Sequence, residues 1–176
     1  MAKEGLGLLH VYTGDGKGKT TAALGLAMRA TGRSLKVLMI QFMKTPDAYA
    51  EQWAHRELPG FEIRPMGLDC LIDRDEPRPE DIEKAQEGLR MAKAEMSSGD
   101  WDMVILDEVN VAVRWGLVLE EQVLEAVRAR AKGVEVILTG RNAPASLIKE
   151  ADLVTEMRNL KHYSNKGILA RDGVER

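Results

Sequence analysis

Cysteine, aromatic side chains and long apolar runs are all scarce in this sequence. It has one cysteine, Cys70, so no intramolecular disulfide can form and no cysteine-based zinc or iron–sulfur centre can be built. A single thiol suits a reducing compartment, and Cys70 reads as a small apolar group in a loop or pocket. Aromatic residues make up 5% of the chain, too few for a base-stacking platform. No apolar run approaches the roughly 18 residues that a membrane-spanning helix needs. The opening MAKEGLGLLH lacks the apolar stretch and cleavage site of a secretion signal, so a cytoplasmic location is expected. Neither sign of charge is in excess: 25 Lys and Arg against 28 Asp and Glu leave a net −3. There is no general attraction for nucleic acid, and no helix-turn-helix or RNA-binding signature supplies a local one. Neither a nucleic-acid nor a membrane partner is expected.

What is present is an ordinary globular mix, 44% hydrophobic and 30% charged over 176 residues, which excludes a fibrous or wholly disordered chain. One domain over 1–176 is expected, large enough to bury about 70% of the surface its unfolded chain exposes. Apolar runs alternate with helical patterns. Strands are predicted at Leu8–Tyr12, Lys36–Met43, Phe61–Met66, Asp102–Leu106, Val134–Leu138 and Leu153–Met157. Helices are predicted at Thr20–Thr31, Asp47–Leu58, Glu80–Ser98 and Leu119–Lys132, and from Pro144 to Ala151, with a loop from Gly67 to Pro79. In the longest helix Ile82, Ala85, Leu89, Ala92 and Met96 keep a three-four spacing that predicts an inward face; in the 119–132 helix Val123, Leu124, Val127 and Ala131 do the same. Continuous apolar strands alternating with helices predict an α/β fold: a mostly parallel central sheet with helices on both faces. The nine methionines fall mainly on these inward faces and read as packing. His10 reads as a satisfied group on a sheet face, His55 as an exposed helical residue.

The strongest motif is Gly14-Asp15-Gly16-Lys17-Gly18-Lys19-Thr20-Thr21. It follows a strand and opens a helix, the setting of a Walker A phosphate loop. Glycines let backbone N–H groups converge on phosphate oxygens, and the helix terminus adds positive potential. Lys19 supplies a point charge and the Thr20 hydroxyl is placed to ligand Mg²⁺ or Mn²⁺. The usual spacing would put the first glycine at position 13, where this chain has Thr13, so the loop is one residue short. That hints at a triphosphate held differently from that of an ordinary ATPase. A second motif, DMVIL before Asp107-Glu108, has the form of a Walker B strand, which brings a carboxylate to the edge where phosphate-bound metal sits. Asp107 is the better metal ligand by position, and Glu108 could ligand the metal, hold the ribose or orient water. Arg29, on the first helix, Gln41, Phe42 and Lys44 after the second strand, Arg141 after Thr139-Gly140, and the basic tail from Lys161 are further candidates, each equally readable as a residue without a ligand.

Taken together, GDGKGKTTAALG, the segment around Arg29, VLMIQFMK, VILDE, ILTGRNAP, ADLVTEM and the closing KHYSNKGILARDGVER resemble the ATP:corrinoid adenosyltransferases over nearly the whole chain. The resemblance implies a RecA-like P-loop fold, commonly dimeric, that moves the 5′-deoxyadenosyl group of ATP onto the Co(I) of a corrinoid and releases triphosphate, in adenosylcobalamin synthesis or salvage. It implies a nucleotide bound in reversed orientation, with Gly14 to Thr21 on the triphosphate, Arg29 near the sugar, Arg141 on the nucleotide and Glu108 by metal or ribose. Lys19 and Glu108 are then the catalytic candidates, and Thr20, Asp107 and Glu108 the metal candidates. A reductase or flavoprotein would supply Co(I), since the chain carries no redox centre. The chain departs from the family in three places. Some members have an aromatic pair in a G-F-T-W segment, where this sequence has Gly67-Leu68-Asp69-Cys70, with Leu71 next. Few residues precede the first strand, so a cover that some members place over the site is not expected. Residue 176 is Arg176 where an aromatic is frequent. Two other readings compete: a small P-loop ATPase or kinase, which would form ADP, and a non-catalytic nucleotide-binding regulatory domain, which would bind ATP without turnover.

Overall fold

The computed structural model describes residues 5–69 and 72–175. Cys70, Leu71 and Arg176, on which three of the expectations above fall, lie outside the described residues. The elements run β1 (Leu9–Thr13), α1 (Lys19–Thr31), β2 (Val37–Phe42), α2 (Glu51–Ala54) continuing into a 3₁₀ turn (His55–Glu57), β3 (Phe61–Met66) and α3 (Pro79–Ser98). They continue with β4 (Met103–Asp107), α4 (Val109–Arg114), α5 (Glu120–Arg128), β5 (Glu135–Thr139), α6 (Ala145–Glu150), β6 (Leu153–Glu156) and a 3₁₀ turn (Tyr163–Lys166). The strands form one sheet in the order β3-β2-β4-β5-β1-β6, and every pairing is parallel.

Burial follows from position in that order. β2, β4 and β5 are buried at every residue, whereas β6, at the edge, is exposed at every residue. A strand covered on both faces needs apolar side chains pointing both ways, which is why VLMIQF, MVILD and EVILT show no alternation. On one face Leu38, Ile40, Phe42, Val104, Leu106, Val136 and Leu138 meet residues of α3, α4, α5 and α6. On the other, α1 lays Ala23, Ala27 and Ala30 against Val37, Met39, Ile105 and Ile137. Each fully buried Leu or Ile in this sheet contributes roughly 1.5–3 kcal/mol relative to exposure. The expected α/β sheet with helices on both faces is thus present, with the second face covered by α1.

The differences are local and have identifiable causes. The helix expected over 47–58 shrinks to α2 and its 3₁₀ extension, because Asp47 takes a left-handed conformation (φ 59) and the chain before α2 is a turn. His55 is half-buried there, edge-on to Phe61 with ring centroids 6.0 Å apart. In α3 the inward position of the first turn belongs to Asp81, 3% exposed, and Ile82 stands outside. The Asp81 carboxylate accepts from the Arg78 backbone N–H at 3.3 Å and from the Arg78 guanidinium at 2.8 Å, which satisfies donors at the helix start. Helix α5 closes at Arg128, short of Lys132. Helix α4 was not anticipated: Val109, Val111 and Val113 are poor helix formers, and packing of Val109 and Ala112, both 0% exposed, overrides that preference. His10 is a satisfied sheet-face group, with Nε2 2.8 Å from Glu135 Oε1, while Glu135 Oε2 accepts from the Gly7 and Leu8 N–H groups.

Candidate functional site

Parallel strands end on one edge, and ligands of open α/β sheets bind outside those carboxyl ends. A cleft of about 880 Å³ opens there, and Gly16 to Thr21, Lys44, Glu108 and Arg141 are among its lining residues. The loop after β1 is tied to the segment after β6. Met157 N–H donates to the Thr13 carbonyl at 2.8 Å, and Gly16 N–H donates to the Met157 carbonyl at 2.7 Å. A Cβ at Gly14 or Gly16 would overlap the Met157 carbonyl oxygen. These two glycines are therefore required by the close approach of the segment after β6, a reason the motif does not announce. Gly18 turns the chain into α1 at φ 119, a conformation glycine adopts without strain.

Lys19 lies inside the loop, 8% exposed, and its Nζ donates to the Gly14 and Gly16 carbonyls, each at 2.7 Å. An ammonium has three donors, so one remains for an anion in the cleft. Burial lowers the Lys19 pKa, Glu108 works in the opposite direction, and the Arg141 charge adds to the lowering. Thr20 Oγ1 donates to Asp107 Oδ1 at 2.8 Å. With its hydrogen committed there, the hydroxyl presents only lone pairs elsewhere.

Asp107, the last residue of β4, is completely buried. Besides Thr20, its Oδ1 accepts from Thr139 Oγ1 at 2.7 Å; its Oδ2 lies 2.8 Å from Lys44 Nζ and 3.4 Å from Gln41 Nε2. Thr139 Oγ1 in turn accepts from the Glu108 N–H at 2.9 Å. Since β5 stands between β1 and β4, Thr139 at its end bridges the phosphate loop strand and the carboxylate strand. Glu108 is held at φ 62, which aims its side chain into the cleft, and among the described residues its carboxylate has no hydrogen-bond or ion-pair partner. Burial raises its pKa and Asp107 raises it further, while Lys44, Lys19 and Arg141 pull it down. A Thr hydroxyl oxygen and an ionised carboxylate are ligands that a hard divalent cation takes. Thr20 and Glu108 fit such an ion; Asp107, closed off and fully bonded, sits behind them.

The structure thus brings Gly16, Lys17, Gly18, Lys19, Thr20, Thr21, Glu108 and Arg141 to one cleft. Gly14 backs the loop, Asp15 is exposed beside it, and Arg29 is exposed in the last turn of α1 and does not line the cleft. Sequence reading did not foresee the wall formed by Val111 and Arg114 of α4 with Trp115 just after it, nor the part played by Tyr49 and Glu51; the tail, a candidate from Lys161 on, does reach the cleft. Val111, Arg114 and Trp115 share a helix face at i, i+3, i+4, a signal that was available once a helix was granted there. The Val174 carbonyl accepts from Lys17 Nζ at 3.0 Å, which folds the tail back over the phosphate loop.

Comparison with known proteins covers the same ground. The family model described as ATP:corrinoid adenosyltransferase BtuR/CobO/CobP matches residues 5–176. The corrinoid adenosyltransferase of Pseudomonas aeruginosa is 34% identical over 175 residues, spanning 99% of this chain and 86% of that protein. That of Escherichia coli is 34% identical over 175 residues, with 99% and 88% covered. The corrinoid adenosyltransferase CobA of Salmonella typhimurium is 33% identical over 175 residues with the same coverage. Matched over nearly its whole length, and built on a P-loop α/β sheet in which β5 parts β1 from β4, the chain belongs to the ATP:corrinoid adenosyltransferase family.

Proposed function

We propose that this protein transfers the 5′-deoxyadenosyl group of ATP to the Co(I) of a corrinoid and releases inorganic triphosphate. Family membership over the whole matched length carries the reading, and the cleft chemistry supports it. Co(I) supplies the electron pair for the new cobalt–carbon bond and becomes Co(III); the C5′–oxygen bond breaks and its pair leaves with triphosphate. The nucleophile is strong without help, so no side chain has to remove a proton. The protein's part is to aim C5′ at cobalt and to stabilise the departing triphosphate. The loop N–H groups and the third Lys19 donor receive phosphate oxygens. Arg141, whose charge is felt by both Lys19 and Glu108, adds positive potential on the same side.

Mg²⁺ or Mn²⁺, held by Thr20 and Glu108 with Asp107 behind, would neutralise further charge on the leaving group. The wall of Val111 and Arg114 of α4 with the following Trp115 lines the cleft and suits the flat, largely apolar body of a corrinoid. Arg29, which does not line this cleft, is left to a second copy in a homodimer or to no role at the nucleotide. Co(I) comes from an external reductase or flavoprotein, in a reducing cytoplasm. The test is incubation with ATP, Mg²⁺ and chemically reduced corrinoid, assaying light-sensitive adenosylcorrinoid and triphosphate together. Equal amounts of both are expected; ADP and phosphate without adenosylcorrinoid would point to a hydrolase or kinase, and binding without turnover to a regulatory domain.

A further inference from the structure

Lys44 is a cation of the cleft held by two carboxylates, and the chemistry above leaves it without a role. Its side chain is 12% exposed, with Nζ 2.8 Å from Asp107 Oδ2 and 3.0 Å from Glu51 Oε1, and it stands 4.8 Å over the Tyr49 ring. Gln41 Nε2 donates to Glu51 at 2.9 Å, and Gln52 Nε2 donates to the Gln41 side-chain oxygen at 2.9 Å. The ammonium is thus fixed on the carboxylate's outer oxygen by a framework built from β2 and α2. Among the described residues it is the one side chain that forms an ion pair with Asp107.

We propose that Lys44 is a positioning residue of the nucleotide site: by occupying Asp107 Oδ2 it keeps the carboxylate turned inward, so that Oδ1 holds the Thr20 hydrogen and the Thr20 lone pairs face the metal that accompanies ATP. The argument rests on the nucleotide reading above. It proceeds from one bond to the next. Lys44 and Gln41 take Oδ2, which leaves Oδ1 to accept from the Thr20 and Thr139 hydroxyls at once. A hydroxyl whose hydrogen is held there does not turn it toward the cleft, and the oxygen is then available to a cation. The same pairing closes Asp107 to the metal and leaves Glu108 as the carboxylate that a cation meets.

The sign of the effect separates this role from simple charge. Removing Lys44 makes the cleft more negative, and Coulomb attraction alone would tighten Mn²⁺ binding. Loss of positioning weakens it, by about 10–100-fold for groups that orient a metal's ligands. The measurement is free Mn²⁺ by electron paramagnetic resonance, titrated into the protein with ATP and without corrinoid, alongside kcat and KM for ATP in the full reaction. For Lys44→Met, Mn²⁺ affinity is expected to fall about tenfold or more, with kcat falling in parallel and KM for ATP within about threefold. Lys44→Arg should restore most of the affinity.

Because Lys44→Met leaves the buried Asp107 Oδ2 without its ammonium partner and risks the fold, the double variant Lys44→Met/Asp107→Leu removes both groups; it also deprives Thr20 of its acceptor and should bind Mn²⁺ equally weakly. Glu51→Gln keeps an oxygen that can accept from Lys44 and leaves the Lys44–Asp107 pair in place, so it should lower Mn²⁺ affinity less than Lys44→Met does. Native or tighter Mn²⁺ binding by the folded double variant, or a loss for Glu51→Gln as large as for Lys44→Met, overturns the proposal. Native protein that takes up no Mn²⁺ with ATP would instead remove the nucleotide reading itself, and this inference with it.

Discussion

At the scale of single residues, the site depends on charges held in places that do not favour them. Lys19 is buried and its pKa lowered, yet its ammonium is fixed by two carbonyls with one donor left over. If that donor receives the leaving triphosphate, Lys19→Ala should lower the rate of adenosylcorrinoid formation by about 10²–10³, and near-native rates would sink the assignment. Glu108 makes the complementary case. Its pKa is raised by burial and by Asp107, so the folded protein disfavours the ionised form relative to the unfolded chain. The stability this contributes is present below the ordinary carboxylate pKa and is lost as pH rises through the raised value. Glu108→Gln should therefore raise the melting temperature of the ligand-free protein at neutral pH and change it little in acid, while abolishing tight Mn²⁺ binding with ATP. Thermal melts across pH decide it: a shift of equal size at both ends would show that ionisation is not the cause.

At the scale of elements, β5 has an effect out of proportion to its length. Placed between β1 and β4, it ends in Thr139, whose hydroxyl donates to Asp107 and accepts from the Glu108 N–H. Thr139→Val keeps the shape and removes both bonds, leaving the Glu108 N–H without an acceptor and Asp107 with one donor fewer. A loss of about 1–3 kcal/mol is expected, read as a lower urea midpoint at unchanged slope; no change would mean that solvent or a neighbour replaces the hydroxyl. This strap was not legible in the sequence, where Thr139-Gly140 appeared only as the end of a strand. The central strands β2, β4 and β5 were legible, since burial on both faces imposes unbroken apolar runs. So was the phosphate loop, because its glycines and lysine are adjacent in the chain. Helix α4 was not, because Val109, Val111 and Val113 disfavour a helix and the packing that forms it is long-range. Met43, Glu108 and Asn142, three non-glycine residues at positive φ, all line the cleft; nothing local in the sequence marks such strain, which tertiary structure imposes at functional sites.

At the scale of the molecule, the cleft belongs to no single element. The loops after β1, β2, β4 and β5 and the returning tail each contribute, and residues far apart in the chain, such as Lys44 and Asp107, meet only when the sheet is complete. That is why the ligand set after β2 read as no better than chance, while the adjacent motif after β1 read clearly. It also means that the unfolded chain retains no nucleotide site, so ATP binds the native state alone and its affinity converts directly into stability. At a free ATP·Mg²⁺ concentration 100 times its dissociation constant the gain is about 2.7 kcal/mol. For a domain of this size each kcal/mol shifts the melting temperature by about 2–4 °C, so a rise of roughly 5–10 °C is expected. Inorganic triphosphate should reproduce much of that rise and adenosine little of it, because the groups fixed in the cleft are those that meet phosphate. Lys19→Ala should lose most of the ATP shift. If adenosine and ATP stabilise equally, or if Lys19→Ala keeps the full shift, the phosphate loop is not where the nucleotide's binding energy lies.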